Sequence, residues 1–300
     1  MPAAPEAFFL PANTAASGQR LCIYHPAQRA SPRGLVLYVH PFAEEMNKAR
    51  RMAALQSCAL AEAGFSVLQI DLHGCGDSSG DFGDASWQGW VDDALLGCRW
   101  LRERNTDQAQ VPMWLWGLRA GCLLAVEAAK QLREPCNFLF WQPPAAGKLL
   151  LQQFLRLKVA GDLMGGQSKG VMQTLRQQLT DGAAVEIAGY LLAPALANGL
   201  EQALLTPPGP AVNVADTADG AMVLVQRLVW LELTTREDAS LSPVSNQTLG
   251  QWEEAGFQVT SQFVQGPAFW QTTEIEDAPA LIQATLTAVM TTPQSHPQSE

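Results

Sequence analysis

The sequence has few of the features that mark membrane-spanning, disulfide-bonded or metal-binding proteins. No apolar run among its 300 residues approaches the ~20 residues that are needed to span a bilayer. Its six cysteines stand singly, with no Cys-x-x-Cys pair, and its four histidines are scattered without metal-ligand spacing. We therefore expect no membrane span, no disulfide framework, no metal site and no cofactor.

Basic residues are also scarce. The chain has 19 Lys and Arg residues against 29 Asp and Glu residues, which gives a net charge of -10. Binding to nucleic acid or to an anionic membrane requires clustered basic residues, so neither is expected as the main partner. The first residues lack the basic start and apolar stretch of a signal peptide, and unpaired cysteines suit a reducing compartment. We expect a cytoplasmic protein.

Apolar residues make up 47% of the chain, and they form short strands that alternate with helices. A continuous apolar run predicts a strand buried on both faces over residues 34–40, and further strands are predicted over residues 65–70, 113–116, 136–141, 228–234 and 257–264. Helical periodicity predicts helices over residues 47–63, 87–104, 249–256 and 277–290. Asn47 is the expected N-cap of the first, and Asp92 and Asp93 are expected on a solvated face of the second. This alternation is typical of an α/β fold with a mostly parallel, doubly wound sheet, whose ligand site lies at the carboxyl ends of the strands.

The pattern changes in the middle of the chain. From residue 147 to residue 210 no clean strand is predicted, and helix-like segments cover 148–163, 171–180 and 185–192. We interpret residues 147–210 as a helical cap insertion and residues 1–146 and 211–290 as the core. The polar, proline-containing stretch 291–300 is expected to be a disordered tail.

One stretch carries the form of a catalytic motif with its central residue exchanged. Residues 113–125 predict a buried strand, a tight turn flanked by Gly117 and Gly121, and an apolar helix. This is the form of the nucleophile elbow Gly-x-Ser-x-Gly, in which the turn raises one side chain above the edge of the sheet. Arg119 occupies the raised position. Because arginine does not lose its proton at any accessible pH, it cannot be an ordinary acyl nucleophile.

Three motifs in register resemble those of the α/β-hydrolase superfamily: His40-Pro41 after a buried strand, the glycine-rich loop over residues 71–80, and the elbow over residues 117–121. More closely, the chain resembles the exosortase A system-associated hydrolase 2 family, through residues 40–48, the elbow, and Phe269-Trp270-Gln271 before Glu274-Ile275-Glu276. The first resemblance implies an α/β-hydrolase fold. The second implies a role in bacteria that make exopolysaccharide and PEP-CTERM surface proteins.

The catalytic triad of that superfamily runs nucleophile, acid, histidine along the chain. The resemblance puts Asp238 at the acid position. No histidine stands in residues 265–270, where the base is expected, and the only histidine after His73 is His296, in the polar tail. Two of the three members are therefore missing, which excludes ordinary serine-hydrolase chemistry and makes the triad degenerate.

Arg119 has two interpretations. Its guanidinium could bind a carboxylate, sulfate or phosphate on the pocket floor, with the N-terminus of the following helix behind it. It could instead pair with an internal acid such as Asp238 or Glu45 and close a non-catalytic site. A replacement nucleophile is a further alternative: Cys122, where the helix N-terminus and Arg119 would favour the thiolate, or Cys75 in the glycine-rich loop. Cys122 could equally pack against the sheet as a small buried thiol.

The candidates for ligand binding share a position near the expected carboxyl edge of the sheet: His40, Phe42, Ala43, Ala120, Glu45 and Trp270. Amides near Phe42 and Ala43, with the amide of Ala120, could form an anion-binding pair. His40 begins that loop, where a residue that fixes the loop is the alternative. Trp270, at a strand exit, could line a pocket or pack in the core.

Two functions remain open. The chain could be an enzyme of hydrolase fold that acts through a nonstandard site on an ester, thioester or glycan-linked acyl group. It could instead be a noncatalytic protein that holds a small acyl or anionic ligand in its pocket, or a protein partner on its cap.

Overall fold

The structure is a computed structural model, and it describes residues 4–13, 16–105, 111–132, 134–164, 170–210 and 225–291. The strands are β1 (Glu6–Ala12), β2 (Gly18–His25), β3 (Leu35–Val39), β4 (Ser66–Ile70), β5 (Met113–Leu118), β6 (Cys136–Trp141), β7 (Val185–Ile187), β8 (Tyr190–Leu192), β9 (Arg227–Thr234) and β10 (Gln258–Gln265). The helices are α1 (Glu44–Glu62), α2 (Trp87–Arg104), α3 (Ala120–Gln131), α4 (Gly147–Met164), α5 (Val171–Thr180), α6 (Pro194–Gln202), α7 (Pro243–Glu254) and α8 (Pro279–Met290), with a 3-10 turn at Phe82–Asp84.

One eight-stranded sheet, in the order β1-β2-β4-β3-β5-β6-β9-β10, forms the centre of the molecule. β1 is antiparallel to β2 and β2 is antiparallel to β4, whereas every other neighbouring pair is parallel. All residues of β3, β5 and β6 are buried, as the continuous apolar runs of a parallel sheet covered on both faces require. The predicted α/β fold with a mostly parallel sheet is confirmed.

The two faces of the sheet carry separate apolar cores. On one face, residues of α2 and α3 such as Val91 and Leu124 pack against the sheet. On the other face, residues of α1 and α8 such as Met52 and Leu281 do the same. Because the strands from β4 to β10 in this sheet are parallel, their carboxyl ends lie at a common edge, which is where doubly wound sheets bind ligands.

The chain between β6 and β9 forms a segment that comprises α4, α5, the β7–β8 hairpin and α6; we call it the inserted segment. The helix predicted over residues 185–192 is wrong, because these residues form the hairpin. Its two turn residues, Ala188 and Gly189, have φ angles of 49° and 84°, as a two-residue type I′ turn requires. Val185, Ile187 and Leu192 are buried while Glu186 is exposed, so the period of this stretch is two.

The inserted segment packs onto the core through aromatic rings. The ring of Phe154 in α4 lies 5.1 Å from that of Phe42, and the ring of Tyr190 in β8 lies 5.0 Å from that of Phe82. Its interpretation as a separate cap over residues 147–210 stays a prediction. The expected tail lies, from residue 292 onward, outside the described residues, as do residues 211–224.

In the part of the chain that the structure describes, no helix combines the length and the apolar character that crossing a bilayer would require.

Two expectations about helices are wrong. α1 begins at Glu44 after Ala43, whose φ is 49°, so Asn47 lies within the first turn and is not the N-cap. Asp93 is not solvated: its carboxylate accepts a hydrogen bond of 2.7 Å from Nε of Arg20, and both side chains are completely buried. The second carboxylate oxygen of Asp93 accepts from the amide of His73 at 2.7 Å. The buried face of α2 therefore extends to Asp93, whose charge is balanced by an arginine on β2.

Candidate functional site

The elbow has the backbone geometry that its motif predicts. Arg119 stands between β5 and α3 with φ 55° and ψ -117°, a conformation that is strained for a residue with a side chain. A Cβ atom on Gly117 would overlap the backbone nitrogen of Cys122, and one on Gly121 would overlap the carbonyl oxygen of Val39. Both glycines are therefore needed for α3 to approach β3 and β5 closely.

Gly121→Ala is expected to lower the free energy of unfolding by about 1–3 kcal/mol, because the backbone of β3 leaves no room for a methyl group. Gly250→Ala in α7 is the control. A Cβ atom there meets nothing within 4 Å, so that variant is expected to gain about 0.5–1 kcal/mol. Urea unfolding of both variants measures the difference, and equal midpoints would contradict the close approach.

The Arg119 side chain is held by three groups. Its Nε donates to a carboxylate oxygen of Glu45 at 3.2 Å, and its Nη2 donates to the side-chain oxygen of Gln153 at 2.8 Å. Its guanidinium carbon lies 5.9 Å from the centre of the Trp270 ring, within the range of a cation–π contact. The internal acid that pairs with Arg119 is thus Glu45. The side chains of both residues remain 12% exposed, so the pair is not sealed from solvent.

Burial shapes the titration of the acids at the start of α1. Burial raises the pKa of the Glu45 carboxyl, and the adjacent Arg119 guanidinium opposes that rise. Burial also raises the pKa of Glu44, and one buried oxygen of Glu44 has no hydrogen-bond partner. Both carboxyls therefore bind a proton more readily than an exposed glutamate does.

A cavity of about 260 Å³ lies beside Arg119. Its apolar wall consists of Phe42, Leu150, Phe154, Leu157 and Trp270. Its polar side consists of Arg119, Glu44, Glu45, Lys48, Gln153 and Gln271. Among these described lining residues there is no serine, threonine, cysteine or histidine. The cavity can therefore bind a group that has an apolar part and a charged or polar part.

The structure does not bring Asp238 to this cavity. Its side chain is 81% exposed in the loop after β9, and its carboxylate lies 3.3 Å from Nη2 of Arg236. Asp238 is absent from the described residues that line the cavity. The expectation that Asp238 completes a site with Arg119 is therefore not supported by its position.

The structure corrects the expectation of an activated thiol. Cys122 is completely buried, and its Sγ donates to the carbonyl oxygen of Trp141 at 3.7 Å. Burial raises the pKa of Cys122 well above its ordinary value, against the opposing effect of Arg119. Cys75 is also buried, and burial raises its pKa as well. Neither thiol has the exposure or the thiolate character of a nucleophile.

His40 fixes the loop that follows β3. Its Nδ1 lies 2.8 Å from the carbonyl oxygen of Pro41, and its Nε2 accepts a hydrogen bond from the amide of Leu72 at 3.3 Å. Burial lowers the pKa of His40, which suits a neutral ring with both nitrogens engaged. No ring nitrogen is left to hold a ligand, so the binding role expected for His40 is not supported.

The remaining candidates divide by position. Phe42, Glu45 and Trp270 line the cavity, whereas Ala43 and Ala120 lie at the helix starts behind it. Ala43 has φ 49° and ψ -125°, close to the angles of Arg119, so two tight turns lead into two helices here. An anion-binding pair of the amides near Phe42, Ala43 and Ala120 stays a prediction.

Gln153, which contacts Arg119 directly, was not predicted from the sequence. The signal was present: Leu150, Gln153, Phe154 and Leu157 follow the helical spacing i, i+3, i+4, i+7 and share one face of α4. Gln153 could be recognised as a site residue only once this face of α4 was known to pack against the elbow. Lys48 and Gln271 were missed for the same reason.

Among the described residues, no group of three or more histidine, cysteine, aspartate or glutamate side chains could hold a metal ion.

Comparisons with known proteins agree with this architecture. Residues 30–179 match the family model described as serine aminopeptidase, S33. Protein ABHD12B of Homo sapiens is 32% identical over 119 residues, which is 40% of this chain and 30% of the length of that protein. Among solved structures, ferulic acid-bound Est1E from Butyrivibrio proteoclasticus has a TM-score of 0.63 at 13% identity, over 95% of this chain and 98% of that one. A carboxyl esterase from Bacillus coagulans, in complex with glycerol, has a TM-score of 0.60 at 12% identity, over 96% and 98%. At these identities the structural likeness shows the α/β-hydrolase fold alone.

Proposed function

The chain belongs to the serine aminopeptidase S33 family, and from this premise we propose that its elbow binds a ligand where other members carry a nucleophile. The ligand is a small acyl or anionic group. The proposal includes a cytoplasmic role in an exosortase A-associated exopolysaccharide system, supported by the resemblance of residues 40–48, the elbow and residues 269–276.

One observation carries the proposal. The raised position of the elbow holds Arg119, whose guanidinium faces a cavity with no serine, threonine, cysteine or histidine among its described lining residues. Acyl transfer through a serine triad needs a nucleophile and a base within hydrogen-bond reach of each other. A guanidinium supplies neither, but it binds carboxylate and phosphate groups with directed hydrogen bonds.

The surroundings of Arg119 support binding. Glu45, Gln153 and Trp270 restrict the side chain to one arrangement, so little side-chain entropy is lost when a ligand binds. The cavity beside it has an apolar wall, which suits the hydrocarbon part of an acyl group.

Hydrolysis of an ester, thioester or acyl-glycan is the second candidate. Family membership favours it, and so does Glu45, an acid with a raised pKa at the wall of a cavity. A carboxylate with a raised pKa is a stronger base than an exposed one, which suits the activation of water as a general base. In this candidate Glu45 acts on water and no acyl-enzyme forms.

Arg119→Ala is expected to abolish ligand-dependent stabilisation. The probes are short fatty carboxylates, acyl phosphates and sugar phosphates, measured by thermal unfolding. A probe that binds the wild-type protein raises its free energy of unfolding by about 2.7 kcal/mol when the probe concentration is 100 times the Kd. We expect no such increase for the Arg119→Ala variant. The control is Arg51→Ala, which removes an exposed arginine paired with Asp277 outside the cavity.

Ligand-dependent stabilisation that persists in Arg119→Ala would contradict the binding role of Arg119. The failure of every probe to stabilise the wild-type protein would contradict it as well. Turnover of 4-nitrophenyl esters by wild-type protein, lost in Glu45→Gln, would favour the second candidate over the first.

A further inference from the structure

The cavity contains two positive and two negative side chains. Arg119 and Lys48 are the cations, and Glu44 and Glu45 are the acids. Nζ of Lys48 donates to the carbonyl oxygen of Gln271 at 3.4 Å, while Arg119 already contacts Glu45. With both acids ionised, the four charges cancel. A ligand that brings a negative charge leaves the cavity with an excess negative charge, which is costly in a partly buried site.

We propose that the cavity takes up a short monocarboxylate together with one proton, and that Glu45 receives the proton. This inference rests on the proposed function, because it requires that Arg119 contacts the head group of the ligand. The ligand carboxylate then replaces the charge of Glu45 beside Arg119. The net charge of the cavity is the same before and after binding.

The position of Glu45 makes it the acceptor of that proton. It is the acid that contacts Arg119, at 3.2 Å, and its side chain is 12% exposed. A second carboxylate on the same guanidinium puts two like charges within a few ångströms, which raises the proton affinity of one of them. A protonated Glu45 can also donate a hydrogen bond to the ligand oxygen that Arg119 leaves free.

The other groups around Glu45 come from every element packed there. α1 contributes Glu44 and Lys48, and the elbow contributes Arg119. The loop after β10 contributes the neutral Gln271, and α4 contributes the neutral Gln153. β8 contributes Tyr190, which lies near Glu44. Glu44 is the competing acceptor, since burial also raises its pKa. Glu44 is not hydrogen bonded to Arg119, and it interacts with the guanidinium only by longer-range electrostatic attraction. The test must therefore separate the two acids.

The size and the wall of the cavity define the rest of the ligand. A volume of about 260 Å³ corresponds to roughly eight or nine groups of the size of water, at about 30 Å³ each. A carboxylate with a straight apolar tail of a few carbons fits that space, and Phe42, Phe154 and Leu157 would contact the tail. A phosphate dianion would require two protons for the same balance, so it is disfavoured.

The test is calorimetric titration of the full-length protein with hexanoate, from about pH 6.5 to about pH 8.0, where hexanoate is ionised. If one proton is taken up, Kd increases about tenfold for each pH unit. Titrations at one pH in Tris and in HEPES, whose ionisation enthalpies differ, count that proton directly. Glu45→Gln is expected to bind with a Kd that is independent of pH, and at the upper end of the range more tightly than wild type. Glu44→Gln is the matched control and should keep the slope of the wild type.

A wild-type Kd that does not change with pH would overturn the inference, as would a slope that survives in Glu45→Gln or is lost only in Glu44→Gln. If Arg119→Ala abolishes binding in any of these cases, the proposed function survives. If wild-type protein binds phosphorylated probes and not hexanoate, only this inference fails. If it binds no probe of either kind, both fail.

Discussion

Asp93→Asn is expected to lower the free energy of unfolding by about 3–5 kcal/mol, because it leaves the buried Arg20 guanidinium without an anionic partner. Both side chains are completely buried, and Nε of Arg20 lies 2.7 Å from the carboxylate. The same carboxylate holds the amide of His73 in the glycine-rich loop. A loss of this size is a large part of the 5–15 kcal/mol that is typical of a folded domain. Urea unfolding followed by tryptophan fluorescence measures it.

The control is Asp277→Asn, which breaks the exposed pair with Arg51, whose atoms lie 2.7 Å apart. Its unfolding midpoint should match that of the wild type, because an exposed pair is solvated before and after. Adding Arg20→Met to Asp93→Asn should recover part of the loss, since the double variant has no unpaired buried charge. A single variant as stable as the wild type would contradict the burial of this pair.

Trp252→Ala is expected to cost about 3–5 kcal/mol through the cavity that it leaves. Trp252 in α7 is completely buried, and its ring lies 4.8 Å from that of Phe138 and 4.7 Å from that of Phe257. Its Nε1 donates to the carbonyl oxygen of Leu205 at 3.0 Å, just after α6. Removal of the side chain therefore weakens the core and the attachment of the inserted segment together. The free energy of unfolding is measured by denaturant unfolding followed by circular dichroism, because the loss of a tryptophan changes the fluorescence signal itself.

Trp252→Phe separates the two contributions. It keeps most of the ring packing and leaves the carbonyl of Leu205 without its donor, which costs about 1–3 kcal/mol. The phenylalanine variant should therefore unfold between the wild type and the alanine variant. Because both variants lack the indole donor, the difference between them measures the packing of the ring. A phenylalanine variant that is no more stable than the alanine variant would contradict the contribution of that packing.

Much of the fold follows from local patterns in the chain. Apolar runs such as Leu35–Val39 and Cys136–Trp141 predict buried parallel strands, since no other element buries every residue of so short a run. The tight turn of the elbow was also predictable, because a glycine on each side of residue 119 leaves room for the close approach of the backbone. These features depend on residues that are near one another in sequence.

The errors concern residues whose environment is set by distant parts of the chain. Asp93 has the helical setting of a solvated acid, and only Arg20, 73 residues away, gives it a buried position. Glu45 was one of two candidate acids for Arg119, and only the packing of α1 selects it over Asp238. Gln153 could not be identified before the packing of α4 was known. Asp238 follows the correct strand, but the loop after β9 leaves it exposed. Position in the chain order does not determine the direction of a side chain.

The backbone contacts of the elbow do not depend on which side chain occupies position 119. Gly117 and Gly121 set the turn through their contacts with Cys122 and Val39, and none of these contacts involves the side chain of residue 119. The strained geometry is therefore independent of which side chain it presents. The side chain at this one position can therefore change while the contacts that set the turn stay the same, so the elbow is a fixed mount on which the functional group is exchangeable.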